Sequence, residues 1–239
     1  MNITKIFRDN LQNLNKSKKP TIAFLGDSVT QGCFDIYKKA DGGVETYFEQ
    51  EYAYHRYIQR ILAMLYPKVP VNIINAGISG GNAPGGLKRL QRDVLCYNPD
   101  LTVVCFGLND CCHEKETLEE YIDALAEIFK RLKDNGSEVI FMTPNMMCTK
   151  ISDHLDKDFH GIAQNCITVQ NDGVFEQYIE KAIDTAKACD VRVCDVYSKW
   201  KMLYENGADI AELLANKINH PSHEMNWLFA YSLVEEMMK

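Results

Sequence analysis

Four short segments carry the side chains that acyl-transfer chemistry requires. They are Gly26-Asp27-Ser28, Ser79-Gly80-Gly81, Gly107-Leu108-Asn109-Asp110 and Asn219-His220-Pro221. A serine hydroxyl becomes a nucleophile when a neighbouring imidazole takes its proton, which assigns those parts to Ser28 and His220. Gly80 has no Cβ, so its backbone N–H can approach a ligand closely, and Asn109 offers an amide donor. With the N–H of Ser28 they would form an oxyanion hole, in which each donor is worth about 3–4 kcal/mol. A plainer reading of Ser28, as the N-cap of a helix, stays open at this point. Asp27 and Asp110 suit turn or cap hydrogen bonds. His223 suits a surface or capping role, and His55, His113, His154 and His160 are assigned no chemistry.

These segments need a frame to bring them together, and the chain supplies one. Thr21–Leu25, Val71–Asn75, Leu101–Phe106, Glu138–Met142 and Val191–Val196 are short, β-branched and apolar on both faces. Such runs predict parallel strands covered by helices. Between them the spacing predicts helices over Tyr52–Tyr66, Leu118–Lys133 and Val174–Cys189, with His223–Lys239 last. Thr117 and Glu120 form a capping-box pattern before the second of these. Alternating strands and helices imply a doubly wound α/β domain, whose ligands bind beyond the carboxyl ends of the strands. Three of the four chemical segments follow predicted strands. Cys33–Gln50 and Met146–Gly173 read as irregular stretches, either ordinary surface excursions or pocket walls.

Composition narrows the choices. The chain has 239 residues, 46% of them hydrophobic, which excludes a disordered or low-complexity protein. Its length fits one domain, 1–239, with residues 1–20 as an N-terminal helical extension. The net charge of −7 and the absence of a dense basic stripe argue against a nucleic-acid partner; Lys16, Lys18 and Lys19 read as a solvated face. No apolar run approaches the ~20 residues that span a bilayer. The N-terminus lacks an apolar signal region, and the nine cysteines lack paired spacing. Both point to reduced thiols and a cytoplasmic location. Competing motifs fail on the letters. The segment after the second strand matches neither G-x-G-x-x-G nor a P-loop, and position 30 is Thr rather than the glycine of G-x-S-x-G. Cys111-Cys112-His113 lacks the spacing of a metal site.

The four segments, in this order, resemble the four sequence blocks of the SGNH/GDSL hydrolase superfamily, from roughly Thr21 to Lys239. The resemblance implies a flavodoxin-like three-layer α/β/α sandwich with a central five-stranded parallel sheet. It implies Ser28 as nucleophile, His220 as base, and Ser28, Gly80 and Asn109 as the oxyanion hole. The activity implied is hydrolysis of a small-molecule acyl ester with no cofactor and no metal. Short acyl groups on carbohydrates are favoured, with a lysophospholipase, a thioesterase or a catalytically impaired sugar-binding module as alternatives. One position departs from the pattern. The superfamily usually places an aspartate three residues before the histidine, and here that residue is Lys217, which cannot accept a hydrogen bond from the ring. Asp209, Asp195, Asn216, Asn219 or a backbone carbonyl is left to orient His220.

Overall fold

The computed structural model describes residues 3–112 and 117–239. Its central sheet is built from the five predicted strands, displaced by at most a few residues. In chain order the elements are α1 (Ile3–Gln12), β1 (Thr21–Gly26), α2 (Ser28–Gln31), β2 (Cys33–Lys38), β3 (Val44–Phe48), α3 (Tyr54–Leu65), β4 (Asn72–Gly77) and α4 (Ala83–Asp93). There follow β5 (Leu101–Cys105), α5 (Leu118–Asp134), β6 (Glu138–Met142), α6 (His160–Asn171), α7 (Val174–Ala188), β7 (Arg192–Cys194), α8 (Tyr197–Glu205), α9 (Ile210–Leu213) and α10 (His223–Met238).

The sheet is parallel, in the order β4-β1-β5-β6-β7. Successive residues of β1 point to opposite faces. Ile22 and Phe24 pack into one core with α1, α3 and α10, while Ala23 and Leu25 pack into the other with α4, α5 and α7. β5 repeats the division, with Leu101 and Val103 on the first side and Val104 on the second. This is the three-layer flavodoxin-like order, and its switch point lies between β1 and β5. α5 begins with the expected capping box, in which Thr117 and Glu120 satisfy each other's backbone N–H groups.

Two stretches read as irregular contain regular structure. Cys33–Gln50 holds the antiparallel β2–β3 hairpin, which stands apart from the central sheet. Met146–Gly173 holds α6. Among the described residues, no helix is long and apolar enough to cross a membrane, and no group of three or more metal-ligand side chains is gathered. His113 lies outside the described residues.

Candidate active site

The Ser28 segment is shaped by close packing. β1 turns directly into α2 at Asp27, which is the N-cap: its carboxylate accepts the Val29 N–H at 3.0 Å. Ser28 is therefore not a cap but the first helical residue, and first-turn N–H groups have no partner within their own helix. Burial raises Asp27 from its ordinary 3.8 to about 7, against the lowering effect of its backbone hydrogen bonds and of Arg89. α2 lies so close to the sheet that a Cβ at Gly77 would sit 2.3 Å from the Gln31 backbone nitrogen. Arg89, from α4, ties the strand ends together by donating to Gly26 O at 2.8 Å and Ala76 O at 2.6 Å.

The next two segments meet beside this turn. The Ile78 N–H donates to Gly26 O at 3.2 Å, and the Ser79 N–H donates to the Gln31 side chain at 2.6 Å. Gly80 follows with φ +72° and open space where a side chain would point. Asn109 donates its amide to Gly81 O at 2.9 Å, a contact that uses one of its two amide hydrogens. Asp110 is buried and accepts the Ala83 N–H at 2.8 Å, at the start of α4. Both aspartates thus make the backbone bonds expected of them.

His220 arrives from the far end of the chain and faces Ser28. Its Nε2 lies 2.8 Å from Ser28 Oγ, across 192 residues of sequence. Both side chains are buried. Burial lowers the ring's proton affinity from its ordinary 6.5 to about 4.

The group against Nδ1 is Asn216, whose Nδ2 lies 2.8 Å away. The other candidates are occupied elsewhere. Asp209 pairs with Lys150 at 2.7 Å. Asp195 accepts from Thr143 and from Ser198 at the start of α8. The Asn219 side chain accepts from Asn216 Nδ2 at 3.0 Å. Lys217 turns away to Glu212 at 2.8 Å and has φ +60°. That left-handed residue folds the chain back so that Asn216 Oδ1 accepts the N–H groups of Ile218, Asn219 and His220 at 3.0, 2.9 and 3.0 Å.

His223 makes side-chain contacts at the start of α10 rather than facing Ser28. It pairs with Glu49 at 2.8 Å and stacks on Tyr52. Three supporting residues are not foreseen from the sequence: Arg89, Gln31 and Asn145, whose amide donates to Asn219 O at 2.9 Å. Each is a polar residue whose role exists only in three dimensions, so no spacing or motif announces it.

Comparison with known proteins agrees with this frame. The chain matches the GDSL-like lipase/acylhydrolase family over residues 24–228. An acetylxylan esterase of Geobacillus stearothermophilus is 26% identical over 132 residues, which are 52% of this chain and 58% of that enzyme. The crystal structure of an acetylxylan esterase from that organism superposes with a TM-score of 0.67 at 20% identity, covering 91% of this chain and 94% of its own. Catalytic mutants of that enzyme have been solved with a serine, an aspartate and a histidine each replaced, the aspartate three positions before the histidine. An α/β hydrolase from the metagenome of Lake Arreo, Spain, gives a TM-score of 0.69 at 20% identity, covering 92% of this chain and 95% of that one. The chain belongs to the GDSL-like lipase/acylhydrolase family.

Proposed function

We propose that this protein is a serine esterase that removes short acyl groups, acetyl above all, from carbohydrates. The observation that carries the reading is the 2.8 Å contact between Ser28 Oγ and His220 Nε2 at the carboxyl end of the sheet, in a chain of this family. The acetylxylan esterase relative supports the choice of acetyl and sugar. A cleft of about 330 Å³ beside the His220 turn is lined by Asp35 and Tyr37 of the hairpin, by His154 and Phe159, and by Lys217. Its charged and aromatic side chains, with Ile36 and Leu155 among them, suit the polar edges and apolar face of a sugar.

In this reaction Ser28 Oγ attacks the acyl carbonyl carbon and its proton passes to His220 Nε2. The carbonyl oxygen, now negative, is held by the N–H groups of Ser28 and Gly80 and by the second amide hydrogen of Asn109. His220 returns the proton to the departing sugar hydroxyl. Water, deprotonated in turn by His220, then releases the acid from Ser28.

The test is hydrolysis of acetylated xylooligosaccharides, p-nitrophenyl acetate, p-nitrophenyl octanoate, a lysophospholipid and an acyl-CoA by the wild type and by Ser28→Ala. Turnover of the acetyl substrates by the wild type, reduced to background in Ser28→Ala, is expected. A preference for octanoate, lysophospholipid or acyl-CoA would overturn the substrate, and equal rates in both proteins would overturn the nucleophile.

A further inference from the structure

We infer that Asn216 holds His220 with its ring proton on Nε2, facing Ser28, and so withholds the free base that attack requires. This rests on the serine-esterase reading above and adds a brake to it.

An amide can be turned end for end, so which atom faces the ring has to be decided by its surroundings. Here three of them agree. The Ile218, Asn219 and His220 N–H groups all converge on one atom of Asn216. Each of these groups donates, so that atom is the carbonyl oxygen. The NH₂ end then faces His220 Nδ1 at 2.8 Å and Asn219 Oδ1 at 3.0 Å. Turning the amide over would set NH₂ against three backbone donors and forfeit all three hydrogen bonds. Asn216 and His220 are both buried, which limits the water available to compensate.

The consequence for the ring follows from donor and acceptor counts. A neutral imidazole carries one N–H and one bare nitrogen. Nδ1 faces a donor, so Nδ1 is bare and the proton sits on Nε2. The hydrogen bond to Ser28 Oγ then runs from ring to serine. Ser28 cannot pass its proton to a nitrogen that already has one, so attack waits on the minor tautomer in which Nε2 is bare. An aspartate against Nδ1 would reverse the arrangement by accepting Nδ1–H. The doubly protonated ring is disfavoured too, since it would set Nδ1–H against the same NH₂.

The turn itself would accept a carboxylate. In an Asn216→Asp variant, one carboxylate oxygen could receive the three backbone N–H groups and the other could receive Nδ1–H, with the Asn219 amide turned to donate. The site is therefore one side-chain atom away from the charge arrangement of a working triad. That atom lies at position 216, four residues before the histidine, and not at Lys217.

Long-range ¹H–¹⁵N spectra of the histidine rings read the tautomer directly, with His220 assigned by its disappearance in His220→Gln. In the wild type at neutral pH we expect protonated Nε2 and bare Nδ1; the reverse would overturn the inference. Asn216→Asp is expected to move the proton to Nδ1 and raise kcat on p-nitrophenyl acetate by about 10²–10⁴-fold. Transfer of the proton with no rise in a measurable kcat would overturn the brake. Transfer of the proton with no Ser28-dependent hydrolysis by either protein would support the tautomer assignment and sink the esterase reading instead.

Discussion

Ser28 and His220 are held in place by different means. Ser28 sits where backbone meets backbone: α2 presses against the strand ends at Gly77, and Arg89 clasps Gly26 O and Ala76 O. His220 sits on a loop whose shape depends on one amide oxygen receiving three N–H groups. Steric contact tolerates no change of residue, because a clash has no substitute. A hydrogen-bonded turn tolerates any side chain that can accept those bonds. The Ser28 side is therefore fixed by shape, while the His220 side can keep its shape with any residue at position 216 that accepts those three bonds.

Four substitutions sharpen that contrast. Asn109→Ala removes an oxyanion donor from the steric side, and kcat for p-nitrophenyl acetate is expected to fall by about 10²–10³ with KM little changed; an unchanged kcat would remove Asn109 from the hole. His55 lies under the same side, buried against Phe24 and Tyr54, and burial lowers it from 6.5 to about 4. The unfolded ring gains its proton below about pH 6.5, whereas the folded ring resists until about pH 4. Stability should thus fall as pH drops through that window, by roughly 3 kcal/mol from this group. Urea titrations at pH 7 and 4.5 should show His55→Leu losing less stability on acidification than the wild type; equal losses would clear His55 of the effect.

Gly77→Ala forces α2 from the sheet and is expected to lower stability by about 1–3 kcal/mol and kcat with it. A fully active, fully stable variant would show that steric contact does not fix Ser28. On the other side, Lys217→Gly relieves a left-handed backbone at φ +60° and is expected to add up to about 1 kcal/mol of stability, with activity within a few-fold of wild type. A large loss of activity there would mean that the Lys217–Glu212 pair holds the turn as firmly as Asn216 does.

What was legible in the sequence follows the same division. The central strands β1, β5 and β6 announce themselves because both faces are buried and nearly every residue is apolar or small, whereas the edge strands β4 and β7 are only partly buried and were legible from their short β-branched runs. The hairpin does not announce itself: β2 runs from buried Cys33 and Phe34 into mostly exposed residues and β3 is nowhere more than half-buried, so no regular period emerges. α6 was hidden for a related reason, since only Ala163, Cys166 and Gln170 are buried along it. Ser28, Gly80, Asn109 and His220 were legible because each lies in a short segment of unusual composition. The partner of His220 was not. Four side chains were eligible by type, and what selects Asn216 is the left-handed turn at Lys217, a conformation that a lysine does not advertise. Lys217 itself, read as the position where the acid is missing, turns its charge to Glu212.

The link between Glu49 and His223 bears on how such a site survives change elsewhere. Gly32, which closes α2 just after Ser28, accepts the Glu49 N–H at 2.9 Å. Glu49 in turn reaches His223, three residues past His220. Ser28 and His220, 192 residues apart along the chain, are therefore also joined through two neighbouring contacts at the hairpin's root. Errors of alignment accumulate along a path, and this path is short. Helices and loops in the intervening stretch can lengthen, shorten or shift without the distance between hydroxyl and imidazole inheriting the sum of their displacements.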